Sequence, residues 1–247
     1  MFTKEVDARV HSGDAHAAVH SLKDQLSTLP EGIELGMVLP RGPVEDVLVS
    51  REGAGFLALP AGANVATGSL RRRSQLLRAR PDLNAVPIRG NVDTRLGKLD
   101  AGEADALILA RAGIERLGLG DRITEVIAPS VILPAVSQGI VGVTCRADDD
   151  ETRRLLGLAD DPETHAIADA ERAWLRRLGG GCNVPAAAHA IVTGDRMTMQ
   201  ARVLDQDGTT CLEGTAEGAV VDAEDLGRSL AEELIARGAI ELVRGEG

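Results

Sequence analysis

SLRRRSQLLRARPDLNAVPIRGNVDTRLGKLDAGEADALILARAGIERLGL, residues 69–119, is the stretch from which the fold can be read. Ser69 opens an amphipathic run that continues to Ala79 and is closed by Arg80-Pro81, which predicts a helix. Asn84–Ile88 has the length and apolar content of a strand, and Val92–Ala101 returns to helical spacing. Ala106–Ala110 is a second strand, followed by a helical turn over Ala112–Leu117 with Gly118 placed as its C-cap. Strands alternating with helices predict an α/β layer with a mostly parallel sheet. In such a layer ligands bind beyond the carboxyl ends of the strands, beside helix N-termini.

Upstream, Asp46–Ser50 adds a strand to this layer, and residues 1–43 read as a helix (Phe2–Val10), a strand (Ala15–Val19), a turn (Ser21–Leu26) and a strand (Ile33–Leu39). Two strands do not make a stable layer, so this opening must recruit others or is incomplete. Downstream come a strand (Ile140–Cys145), two helices (Glu151–Leu158 and Pro162–Leu178) and a Gly-Gly-Gly turn at 179–181. Three strands (Ala187–Val192, Met197–Leu204, Cys211–Ala216) and an amphipathic helix (Asp225–Arg237, capped by Gly238) then read as a small α+β unit.

Composition narrows the function classes. The chain of 247 residues is 44% hydrophobic and 26% charged, which excludes a disordered chain. No run approaches the ~18 apolar residues of a membrane span, and no apolar h-region follows Met1, so neither a membrane partner nor secretion is expected. Cys145, Cys182 and Cys211 form no CxxC pair, so a zinc ribbon or redox motif is excluded and no metal is expected. Free thiols place the chain in the cytoplasm. Two Phe, one Trp and no Tyr leave no aromatic platform for bases, and a net charge of −11 argues against nucleic acid.

Against that acidity, Arg71, Arg72, Arg73, Arg78, Arg80, Arg89 and Arg95 face only Asp82 and Asp93 within residues 71–95. Arg71 and Arg72 fall in the first turn of a helix, where a cation opposes the helix dipole. An anion docking at that terminus compensates, since backbone N–H groups and guanidinium forks converge on it. Arg89 lies at a second strand-to-helix junction, with Arg95 a turn further on. A solvated basic face is the other reading, and bidentate arginine suits carboxylate and phosphate alike. At Val19-His20-Ser21-Leu22-Lys23-Asp24 an acid and a lysine directly follow a strand: Asp24 is a general acid/base or a solvated partner of Lys23. At Gly179-Gly180-Gly181-Cys182 three glycines present a cysteine at a loop tip, as a nucleophile, an attachment point or an inert thiol. Pairing with His165 or His189 lacks a third orienting group.

Five ordered motifs resemble the porphobilinogen deaminase (hydroxymethylbilane synthase) family: AVHSLKD at 18–24, SLRRRSQLLRARPDL at 69–83, RGNVDTRLGKLDAGEADALILARAGIERLGL at 89–119, LPAVSQGIVGVTCRADD at 133–149 and ERAWLRRLGGGCNVP at 171–185. The resemblance implies an α/β protein of three domains. Two periplasmic-binding-protein-like α/β domains flank a cleft, and a C-terminal α+β domain carries the cysteine loop. On that reading domain 1 is residues 1–43 plus 140–160, domain 2 residues 44–139 and domain 3 residues 161–247. It implies a transferase of tetrapyrrole and haem biosynthesis that joins four porphobilinogen molecules into linear hydroxymethylbilane. The enzyme is primed by a dipyrromethane cofactor, two linked pyrroles each bearing acetate and propionate, and Cys182 matches the cysteine that holds it by a thioether. Asp24 matches the catalytic aspartate. Arg71, Arg72, Arg89, Arg95 and Arg116 match the arginines that bind substrate carboxylates, and Ser21, Lys23, Thr67 and Ser69 match cofactor- or substrate-binding side chains. A monomer is implied.

The sequence departs from the family at several points. Roughly sixty residues that open family members, including a central strand, have no counterpart before MFTKEVD, which implies a domain 1 with exposed strand edges. Gly68 stands where the family has a serine, Ser137 where a turn takes glycine, Gly179 for a glutamate, Asn183 for a glutamine and Arg111 for a small residue. Two other classes carry some of these features: a non-catalytic relative, and a periplasmic-binding-like module for carboxylates. Cofactor attachment separates the enzyme from both.

Overall fold

The computed structural model describes residues 2–179 and 184–244. Three sheets organise them. The first is antiparallel and three-stranded, with β8 (Val141–Arg146) between β1 (Ala17–Ser21) and β2 (Ile33–Val38). Helix α1 (Phe2–Ser12) packs on it, burying Val10 with Ala18 and Ile33. The two strands of the opening segment thus recruit a third from more than a hundred residues on.

The second sheet has the order β5-β4-β6-β3-β7: β5 Asn84–Val86, β4 Asn64–Ala66, β6 Ala106–Ala110, β3 Asp46–Ser50, β7 Glu125–Ile127. Both of its faces are buried. Val47, Val49, Leu107 and Leu109 point to one side with Leu96, Leu99 and Ile114; Leu48, Ala106 and Ile108 point to the other with Phe56 and Leu76. A side chain of this size contributes about 1.5–3 kcal/mol when fully buried, which accounts for the near-continuous apolar run ALILA in β6. Helices α2 (Leu70–Ala79), α3 (Val92–Asp100) and α4 (Arg111–Arg116) follow β4, β5 and β6. Ser69 caps α2 by accepting from the Arg72 amide, and Asn91 caps α3 by accepting from the Thr94 amide.

The expected mostly parallel sheet forms, with one reversed strand among its five. β4 pairs in parallel with β5 and β6, but β3 runs antiparallel to both β6 and β7. The chain enters this layer from the first sheet and leaves it through β7, so β3 points against the helix-connected strands. Strands β4 and β7, three residues each, carry too little pattern of their own to be read; their neighbours' ladders define them.

The third sheet is the meander β9 (Ala186–Thr193), β10 (Arg196–Leu204), β11 (Cys211–Ala219). Helices α6 (Pro162–Arg177) and α7 (Ala223–Ala236) cover it, around a core of Trp174, Met197, Met199, Leu230 and Leu234. Gly227 lets α7 approach α6, because a Cβ there would collide with the Ala170 carbonyl. Helix α5 (Asp150–Gly157) lies beside the first sheet, and α8 (Ala239–Arg244), which the pattern did not predict, ends the described chain.

Two chain segments, residues 39–45 and 128–140, connect the first and second sheets. They meet where the Gly42 amide donates to the Gly139 carbonyl at 3.0 Å. At φ 87° and with the Gly42 and Pro43 carbonyls 2.6 and 2.9 Å from any Cβ, position 139 admits only glycine. Two residues earlier Ser137 adopts φ 59°, the one non-glycine residue with positive φ among those described. This is the turn in which serine replaces an expected glycine.

Candidate functional site

A cavity of about 660 Å³ lies between the carboxyl end of β1 and the carboxyl ends of β4 and β5, with α6 and the start of β9 closing one side. Its wall includes Lys23, Asp24, Ser69, Arg71, Arg72, Arg89 and Arg95 together with Leu175, Val184 and Ala186. Among the described residues, five cations therefore face two carboxylates here, Asp24 on the wall and Asp46 behind it, inside a strongly acidic chain.

Strand β1 delivers the acid. It ends at Ser21, and Leu22–Asp24 forms one 3₁₀ turn closed by the Gln25 amide donating to the Leu22 carbonyl. Leu22, 1% exposed, plugs into the core shared with Trp174, while Asp24 is exposed to the cavity. Lys23 Nζ donates to Gln138 Oε1 at 3.5 Å. Burial, reinforced by Arg72 and Arg71 and opposed by Asp24 and Asp46, pushes the Lys23 ammonium down to about 8.

The arginine side is more internally compensated than the sequence implied. Asp46, 0% exposed, holds Arg71 Nη2 through Oδ2 at 2.8 Å and Arg72 Nη2 through Oδ1 at 2.8 Å, and accepts from Gln138 Nε2 at 2.9 Å. Burial alone would raise this carboxyl; the two guanidiniums overcome it and hold it well below the usual carboxylate range. The anion called for by two cations in the first turn of α2 is thus partly the protein's own. Because β3 is antiparallel, its first residue lies at the carboxyl ends of β4 and β6, where α2 begins. Reading β3 as parallel would have placed Asp46 at the opposite end of the sheet, away from the arginines. A carboxylate at the start of the apolar run DVLVS was the available signal.

Arg71 also donates to the Leu133 carbonyl at 2.7 Å and Arg72 to the Ile108 carbonyl at 3.3 Å. Arg72 Nε, buried, makes no hydrogen bond among the described residues. Arg95 is braced by the Gly90 carbonyl at 2.8 Å, and Arg89 is exposed at the rim. Three expected residues stand outside this wall. Thr67 is buried beneath it, its hydroxyl accepting from the Ser69 amide at 3.2 Å. Ser21 is the exposed last residue of β1. Arg116 is exposed at the end of α4, its guanidinium beside Gly42, because α4 carries it away from the strand ends toward the crossover. Cys182 lies outside the described residues.

The pattern also missed Glu171, which ties the crossovers to the third sheet. Fully buried on α6, it accepts from Arg41 Nη1 at 2.8 Å and Nη2 at 3.2 Å, from the Ser137 amide at 2.6 Å and from the Ala190 amide at 2.8 Å. Burial opposes the ionised form, but Arg41 and His189 hold the carboxyl below its ordinary range. An acid within an apolar helical stripe was the readable sign. Among the described residues, no helix is long and apolar enough to cross a membrane.

Two family models match: "Porphobilinogen deaminase, dipyromethane cofactor binding domain" over residues 1–154 and "Porphobilinogen deaminase, C-terminal domain" over residues 166–236. A porphobilinogen deaminase of Syntrophotalea carbinolica is 45% identical over 239 residues, 97% of this chain and 76% of that protein. One from Roseiflexus castenholzii is 46% identical over 245 residues, 99% of this chain and 80% of that protein. Among solved structures, the second substrate binding domain of a putative amino acid ABC transporter from Streptococcus pneumoniae is 12% identical with a TM-score of 0.42, covering 71% of this chain and 73% of that one.

Proposed function

Because this chain belongs to the porphobilinogen deaminase family, we propose that it is a hydroxymethylbilane synthase, a transferase that joins four porphobilinogen molecules in the cavity described above. The observation that carries the assignment is the placement of Asp24 and Lys23 opposite Arg71, Arg72, Arg89 and Arg95 across a single cavity. Its volume is that of a small-molecule site, and its donors suit a ligand built of acetate and propionate arms.

The dipyrromethane fits this donor set. Held by Cys182, it supplies the free pyrrole carbon on which the chain is extended. Arg71, Arg72, Arg89, Arg95 and protonated Lys23 bind carboxylates and fix each ring, so that position rather than additional catalytic groups sets the register. Asp24 gives a proton to the aminomethyl nitrogen of porphobilinogen, which leaves as ammonia. Its carboxylate then faces the cation left on the pyrrole and takes the proton displaced when the new carbon–carbon bond forms. One carboxyl alternating between acid and base suits a cycle run four times.

We further assign domain 1 to residues 1–43 plus 140–160, domain 2 to 44–139 and domain 3 to 161–247; the membership of β8 in the first sheet supports this division. Family likeness supports a cytoplasmic monomer. Intact mass under denaturing conditions tests the assignment: added mass of two linked pyrroles, lost in Cys182→Ala, is expected, and an unmodified mass overturns it for this chain. Asp24→Asn is expected to cut ammonia release by about 10²–10⁴-fold with the adduct retained, the range of positioned acid–base catalysis.

A further inference from the structure

Asp7, on α1, lies outside every motif that marks the site, yet it is buried at 6% exposure against the turn that bears Asp24. Its two oxygens reach the two residues flanking that turn. Oδ1 accepts from the Thr144 hydroxyl of β8 at 3.3 Å and lies 2.9 Å from His20 Nε2, which is hydrogen-bonded to that same hydroxyl at 3.1 Å; Oδ2 accepts from Gln25 Nε2 at 2.8 Å. His20 is the fourth residue of β1 and Gln25 the residue that closes the 3₁₀ turn, so one carboxylate spans the segment Ser21–Asp24 from end to end. His20, Gln25 and Thr144 are themselves buried, at 6%, 4% and 0% exposure. Gln25 also forms part of the cavity wall beside Asp24. Inside the turn, Leu22 is anchored separately by its side chain in the core and by its amide donating to the Ile140 carbonyl at 3.0 Å.

We propose that Asp7 is a positioning residue: by holding His20 and Gln25 together it fixes the turn that aims Lys23 and Asp24 into the cavity. The role as positioning for catalysis rests on the reading of Asp24 given above; the clamp itself does not. A buried carboxylate that accepts from Thr144 and Gln25 and lies against His20 is costly to leave unpaired on either side, so its removal loosens both ends of the turn. A catalytic group displaced by about 1 Å can lose ~10²-fold in rate, which makes a single off-site carboxylate a determinant of turnover.

The test uses Asp7→Ala, Asp7→Asn and Gln25→Leu in the full chain. Native-state amide hydrogen exchange is read at Gln25, whose N–H closes the turn on the Leu22 carbonyl, and at Leu22, whose N–H ties the turn to the Ile140 carbonyl, and kcat and KM for ammonia release are measured in parallel. Asp7→Ala is expected to speed exchange at both amides by at least about tenfold and to lower kcat by about 10–100-fold with KM within about twofold. Asp7→Asn is expected to restore both, because its carbonyl oxygen still accepts from the Thr144 hydroxyl that His20 also reaches, and the Gln25 amide can turn over to accept from the new N–H. Gln25→Leu, which fills the space and removes one arm, is expected to fall between and decides the matter should Asp7→Ala not fold. Parental exchange rates in folded Asp7→Ala or in Gln25→Leu overturn the clamp; faster exchange with unchanged kcat overturns its catalytic consequence. A parent that releases no ammonia defeats the proposed activity, while the exchange rates still decide the clamp.

Discussion

Replacing Asp46 by Asn tests the central claim about the cavity's electrostatics, that its arginines are aimed by an internal anion. The side chain keeps its shape and one acceptor oxygen, while two guanidiniums at 2.8 Å lose their counter-charge in a place with no exposure to water. At an effective dielectric of about 20, each such pair carries a gross attraction of about 6 kcal/mol, most of it offset by the desolvation of three charges. What remains visible on removing one partner of a buried pair is about 3–5 kcal/mol. Against a total stability on the order of 5–15 kcal/mol, that loss is large. Urea unfolding at 25 °C, followed by circular dichroism, should show the midpoint falling with the slope unchanged. The pH dependence follows from the sign of the shift. The folded carboxyl lies below its ordinary value of 3.8, so its contribution is complete above about pH 4 and is lost as pH falls below that value toward the folded one. The gap between parent and variant should therefore be level from pH 5 to 8 and narrow in acid. A loss under about 1 kcal/mol, or a gap that stays constant below pH 4, would falsify the internal-anion account.

Three further outcomes are expected. Lys23 loses its proton as pH passes about 8, so KM for porphobilinogen should rise across that pH in the parent; Lys23→Met should raise KM at pH 7 and abolish the rise, and a rise that persists in the variant sinks the role. Arg41→Met leaves the fully buried Glu171 without its bidentate partner and should cost about 3–5 kcal/mol in thermal or urea unfolding, with a cost below about 1 kcal/mol counting against the crossover clamp. Ser137→Gly relieves a positive φ and removes a buried hydroxyl that has no partner, so it should stabilise the chain by about 1 kcal/mol; a lower melting temperature would contradict that.

What could be read without coordinates was whatever is encoded over short distances. Helical and strand periodicity located α2, α3, β6 and the C-terminal meander, since each buries its own stripe or face and so must display it in sequence. Ser69 and Gly118 marked helix ends because capping involves only neighbouring residues. The lysine and acid after β1 and the arginines at two strand-to-helix junctions marked the cavity wall, because α/β layers display such positions at one end. Tertiary structure alone decided the rest. The direction of β3 depends on which strands it pairs with, and that direction brings Asp46 to Arg71 and Arg72, 25 and 26 positions away. The same holds for Glu171, whose partners come from residues 41, 137 and 190, and for Asp7, whose clamp joins α1 to β1 and β8. Buried carboxylates resist reading from sequence for a physical reason: an Asp or Glu is tolerated in a core only when distant donors converge on it, and their convergence is a property of the folded chain.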